Sequence, residues 1–144
     1  MKSQHRARRL AIQGLCCVDA GDGGKQELVE QFLKDSREPP AVIEAAMELI
    51  KESRKDVDNC DEILGRNAHR WELGRLALVD RNILRLAAFE LRKNTEPCGV
   101  IISEALKLAR EFSTSESPRF INGVLDAVRK ELVDGQDKTE KNNT

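Results

Sequence analysis

The sequence predicts an all-α protein, and three observations carry that prediction. Leu, Ala, Glu, Lys and Arg dominate, Tyr is absent, and Pro and Gly are few at 4 and 9 of 144 residues, a composition that favours helices over sheets. Apolar residues recur at three- and four-residue spacing in segment after segment, the signature of helices with one buried stripe. At 144 residues the chain is long enough to bury a core as one domain without covalent staples.

Residues 1–9 contain Lys2, Arg6, Arg8 and Arg9 and no acidic residue, the densest positive charge in the chain. The next helix puts Ala11, Ile12, Leu15 and Val18 on one side and Arg6, Arg9, Gln13 and Cys16 on the other, with Arg8 toward the apolar side. Outward arginines of this kind neutralise phosphates in a salt-dependent way; the competing reading is a solvated, frayed terminus. Three glycines between Asp19 and Lys25 mark a turn. Leu28, Val29, Phe32 and Leu33 then form a short amphipathic helix, and the break from Ser36 to Pro40 ends in a double proline suited to a helix start.

From Val42 the apolar positions stay in helical register through Ile63 and Leu64 to Gly65, which is expected to be the C′ residue. The polar run Glu52 to Asp58 divides this stretch into two helices, its charges forming a solvated face. The segment Asn67 to Arg75 holds His69 and Trp71 without a nucleophile or a metal partner, so it is expected to serve packing or connection, with Arg66 and Arg70 extending a basic surface.

The helix from about Asp80 to Lys93 is apolar over most of its circumference, through Ile83, Leu84, Leu86, Ala87, Phe89 and Leu91, and should be central. Arg81, Arg85 and Arg92 fall on one narrow stripe, expected to form structural ion pairs or an exposed edge rather than an RNA contact. Glu90, on the other side, needs a partner if buried. Thr95 to Gly99 is a turn. The next helix, Val100 to Phe112, has an apolar arc from Ile101, Ile102, Ala105, Leu106, Leu108, Ala109 and Phe112 that is wider than one helix contact requires; a partner or a second bundle contact accounts for the excess.

Ser113 to Asp126 begins as a hydroxylic run and becomes a helix in which Ser117 fits the N-cap and Pro118 fits N1. Ile121, Val124, Leu125, Val128 and Leu132 form the buried stripe, while Arg119, Gly123 and Asp126 point largely away and Phe120 sits to one side. A guanidinium and an aromatic in the first turn can contact RNA or protein; Phe120 packing on a neighbouring helix is the alternative. Residues 133–144 read as a polar, disordered tail after a domain of residues 1–132.

The net charge is −1 with 34% charged residues, which gives no global field for nucleic acid, so any basic site is local. Cys16, Cys17, Cys60 and Cys98 lack zinc-site spacing and read as reduced apolar residues. No apolar run is long enough to span a bilayer and no signal peptide is evident, so a cytoplasmic protein is expected. No carboxylate pair, metal-ligand set or activated nucleophile assembles from spacing, so catalytic residues, metal and cofactor are all expected to be none, and the chain is expected not to be an enzyme.

Four segments in order resemble the NusB family of transcription antitermination factors. They are Arg8-x-x-Ala11-x-Gln13-x-Leu15, Asp80-Arg81-x-Ile83-Leu84-Arg85-Leu86-Ala87 followed by Phe89-Glu90-Leu91, Pro97-x-x-Val100-x-Ile102-x-Glu104-Ala105, and Ser117-x-Arg119-Phe120-Ile121-Asn122-Gly123-Val124-Leu125-Asp126. The resemblance covers most of residues 6–132. It implies a helical bundle of two packed three-helix groups, about seven helices in all. It also implies binding of boxA-type single-stranded RNA together with the ribosomal protein NusE, and so, indirectly, action on RNA polymerase as it reads through terminators in ribosomal RNA operons. By position, Lys2, Arg6, Arg8, Arg9, Gln13, Arg119 and Phe120 are the RNA-binding candidates, and Asp80, Glu116 and Phe120 the NusE-binding ones. Homodimerisation is a further implied partner state, with no membrane partner. Two other readings compete: a detached targeting domain of the kind attached to ribosomal RNA methyltransferases, and a helical oligomerisation scaffold.

Overall fold

The computed structural model describes residues 3–20, 26–68 and 76–142, with side chains as far as Gly135 in the last helix. Among the described residues there are seven helices and no strand: α1 (Ser3–Ala20), α2 (Gln26–Asp35), α3 (Pro40–Lys55), α4 (Val57–Asn67), α5 (Leu78–Lys93), α6 (Cys98–Phe112) and α7 (Ser117–Asn142). The glycine turn, apart from Asp19 and Ala20, and the segment with His69, Arg70 and Trp71 lie outside the described residues.

Helices α1, α2 and α3 pack together as one group, and α4, α6 and α7 gather round α5 as the other. With α5 at its centre the second group holds four helices, which accounts for the seven expected in all. Helix α5 touches α1, α3, α4, α6 and α7, as expected of a segment with ten buried residues from Asp80 to Leu91. Gly14 allows α1 and α3 to approach closely, since a Cβ there would lie 2.8 Å from Ile50 Cδ1.

Helices α3 and α4 part at Asp56, whose backbone leaves the helical range at φ −98° and ψ 8°. Its carboxylate accepts Arg92 Nε at 2.8 Å and Nη2 at 3.1 Å, Asn59 Nδ2 at 2.9 Å and Cys60 Sγ at 3.4 Å. The predicted division of this stretch thus occurs. Gly65, however, does not end α4: the helix runs on to Asn67 with Ala68 as its C-cap, and Asn67 Nδ2 donates to the Ile63 carbonyl at 2.8 Å. Helix α5 ends on Asn94, left-handed at φ 56°, its N–H donating to the Glu90 and Leu91 carbonyls.

The arginine stripe of α5 is structural. Arg85 makes a two-bond pair with Asp61 at 2.8 Å and 2.8 Å, Arg92 pairs with Asp56, and Arg81 lies 3.5 Å from Asp19. Helix α6 turns Ile101, Ala105, Leu108 and Ala109 into the core against α5 and α7. Its surplus apolar face, Ile102 and Leu106, is half-buried along a groove with α7, so the second bundle contact absorbs part of the arc and leaves part open. Beyond Leu132, where the sequence suggested a disordered tail, the helical backbone continues to Asn142. Except for Gly135, residues 133–142 contain no helix breaker.

Candidate nucleic-acid interface

The predicted cations of α1 separate by direction. Arg8, on the side facing α5, is 5% exposed and donates from Nε to both Glu90 oxygens at 3.1 Å and 3.0 Å, from Nη2 to Glu90 Oε1 at 3.0 Å, and lies 3.1 Å from Glu96 Oε2. Burial alone would lower its pKa, but Glu90 and Glu96 outweigh that and the net shift is upward, so Arg8 stays charged. Burial pushes the Glu90 carboxyl up, against the opposing pull of Arg8. This pair supplies the partner that Glu90 requires and turns Arg8, one of the RNA-binding candidates, into the core rather than to the surface.

Arg6 and Arg9 remain at the surface. Arg6 Nη2 lies 2.5 Å from Glu38 Oε2. Arg9 Nε donates to Glu111 Oε1 at 2.5 Å, and its guanidinium stands 5.5 Å from the Phe112 ring centroid. His5 contacts Glu104 through Nδ1. His5 reaches Glu104 and Arg9 reaches Glu111, so the contact one turn further along α1 falls nearer the C-terminal end of α6. Gln13 is half-buried one turn beyond Arg9, and Cys16, expected on the outer face, instead packs against the core and accepts a long contact from Asn82 Nδ2 at 3.8 Å. Lys2 lies outside the described residues.

At that end α6 passes through residues 113–116 into α7, and a buried carboxylate holds the corner. Asp80, in the first turn of α5, accepts Ser113 Oγ at 2.6 Å and Ser117 Oγ at 3.0 Å, and Ser117 Oγ lies 2.8 Å from Ser113 Oγ and 3.0 Å from Thr114 Oγ1. An acid in a helix's first turn is favoured by the helix dipole. One sequence reading is corrected here: Ser117 is the first helical residue and points its hydroxyl at Asp80 instead of capping α7. Asp80, a NusE-binding candidate, is 9% exposed and shapes the turn from beneath.

Around this corner the first turn of α7 opens to solvent. Glu116 and Arg119 are at the surface, Phe120 is half-buried, and Arg119 has no ion-pair partner among the described residues. Together with Asn67, Ala68 and Gly123 these three line an open groove of about 830 Å³ between the end of α4 and the start of α7. Ile121, Val124, Leu125 and Val128, all at most 5% exposed, anchor the helix beneath. Phe112 and Arg119 are seven residues apart, a span of at most about 25 Å, so one short connection joins the Arg9–Phe112 contact to the first turn of α7.

Sequence reasoning did not find Glu38, Glu104, Glu111 or Phe112, which hold the α1 side chains. Glu104 and Glu111 meet residues about a hundred positions away, and no local pattern marks such a pairing.

Fold and site together define the class: a helical binding domain with surface cations on α1 and a cation beside an aromatic in the first turn of α7, and with no group of side chains placed to hold a metal among the described residues. No helix among the described residues is long and apolar enough to cross a membrane. The chain belongs to the NusB family, whose model matches residues 5–130; the family is one of transcription antitermination factors, not of enzymes. It is 39% identical over 134 residues to the transcription antitermination protein NusB of Solibacter usitatus, covering 92% of each chain. Among solved structures it is similar to T. maritima NusB, with a TM-score of 0.74 and 32% identity over 91% of this chain and 94% of that one. A complex of the antitermination factors NusB and NusE with double-stranded RNA contains a chain of the same fold, with a TM-score of 0.79, 24% identity, and coverage of 91% and 98%.

Proposed function

We propose that this chain is an antitermination factor that binds boxA-type single-stranded RNA together with NusE, and so promotes read-through by RNA polymerase in ribosomal RNA operons. The observation that carries the reading is the first turn of α7, where Arg119, without an ion-pair partner among the described residues, stands beside Phe120 at the rim of an open groove. Single strands are bound by cations on phosphates and flat side chains under bases, and this turn supplies both. Arg6, Arg9, Gln13, Arg119 and Phe120 are the RNA-facing set within the described residues, with Lys2 extending it. Glu116 and the rim of Phe120 face NusE, and Asp80 serves NusE binding only through the turn that it holds. Residues 1–132 form the binding unit, acting in the cytoplasm.

A fluorescent boxA-type RNA and a scrambled control, titrated with and without NusE at several salt concentrations, test the reading. Binding of the chain alone is expected to be weak and salt-sensitive, and NusE to strengthen binding of the boxA-type RNA. Arg119→Ala and Phe120→Ala weaken the complex while the helical circular-dichroism signal persists, Phe120→Ala by about 1–3 kcal/mol, the range for a base stacked on an aromatic. Equal binding to both RNAs, unaffected by NusE, overturns the proposal.

A further inference from the structure

The three surface arginines assigned to RNA are not equally available. Arg119 is unpaired among the described residues, whereas Arg9 and Arg6 already hold a carboxylate of their own chain at 2.5 Å. A carboxylate in that position occupies the donors that a phosphate oxygen would use. We infer that Glu111 acts as an internal stand-in for RNA phosphate on Arg9, setting the affinity of the RNA site by a carboxylate-for-phosphate exchange. The inference rests on the reading that the α1 arginines meet RNA.

Two features make Arg9 the arginine that exchanges. The side chains of Arg9 and Glu111 are 37% and 35% exposed, so water reaches Glu111 as soon as it lets go, whereas Glu38 is 20% exposed and its Oε2 is buried without a well-aligned hydrogen bond. Releasing Arg6 would strand a buried carboxylate, which is costly; releasing Arg9 leaves a hydrated one. Phe112 then keeps the guanidinium in place: with the ring 5.5 Å from the Arg9 carbon, the cation retains one contact when its carboxylate departs. Phe112 is thus a positioning residue, and Glu111 a competitor whose removal should tighten binding.

The test is a double-mutant cycle on the full chain, read by titration of the boxA-type RNA and its scrambled control at fixed salt. Glu111→Gln is expected to bind both RNAs about two- to five-fold more tightly, the fold-change that corresponds to freeing an exposed ion pair. Glu48→Gln controls for the general loss of one negative charge, because Glu48 lines a groove with Ser3 and Gln4 at the start of α1 without pairing to an arginine among the described residues; its effect should stay within about 1.5-fold, as expected of a screened charge. In an Arg9→Gln background Glu111→Gln should do no more than Glu48→Gln. A gain in Glu111→Gln no larger than in the control, or one that survives Arg9→Gln, overturns the exchange. Because phosphates are common to both RNAs, the cycle reads the exchange even on the scrambled strand, whereas loss of preference between the RNAs counts against the antitermination reading alone.

Discussion

Arg8 and Arg9 are neighbours on α1 with the same side chain, yet one joins the core and the other the surface. Arg8 spans α1 and α5 through Glu90 with its charge almost entirely removed from water, while Arg9 spans α1 and α6 through Glu111 with over a third of its side chain exposed. The 100° step of the helix is enough to separate them. The difference shows that charge density along a sequence does not measure binding capacity: of the basic run at the N-terminus, one arginine is committed to holding the fold.

The largest test of that contrast is Arg8→Ala, expected to destabilise the fold by about 3–5 kcal/mol because it leaves Glu90 as a buried, unpaired carboxylate. A urea unfolding curve reads it, and a loss under about 1 kcal/mol would erase the distinction between the two arginines.

An intermediate case sharpens it. The Arg92 hydrogen bonds, with further ones from Asn59 and Cys60, hold the Asp56 carboxyl at about 2 against burial, below its ordinary 3.8. Since the folded value is the lower one, the stabilisation is present above about pH 4 and is lost as pH falls toward 2, an effect on the order of 2 kcal/mol. Unfolding midpoints across pH 2–6 should show this loss in the native sequence, and in Asp56→Asn a curve lower above pH 4 and flatter below it. At the small end, Arg9→Gln should lower the unfolding free energy read from a urea curve by under about 0.5 kcal/mol while weakening RNA binding. A large stability loss there would place Arg9 with Arg8.

Much of the fold was legible because it depends on local periodicity. The stripe Ile121, Val124, Leu125 and Val128, the break between α3 and α4, and the central place of α5 all follow from spacing. The arginines of α5 were read as structural ion pairs or an exposed edge because a central helix has little surface to offer. The requirement on Glu90 and the lean of Arg8 were also visible, but their union was not, since 82 residues separate them. Ser117 looked like an N-cap because cap preference is a local rule, whereas its hydroxyl is claimed by Asp80, 37 positions earlier. Gly65 looked like a helix end because nothing in the sequence shows that Asn67 carries the turn onward. At the site, the residue types were readable; which of them were already paired was a tertiary fact.

The break at Asp56 has a consequence for how the molecule comes apart. The residue stands where the α1–α3 group ends and the α4–α7 group begins, and its side chain grips Arg92 near the far end of α5. Arg8 ties the same two groups together from α1. Neither group can loosen without exposing a charge whose partner belongs to the other, so the two should melt as one cooperative unit, with circular dichroism and a probe on either group reporting a single coincident transition.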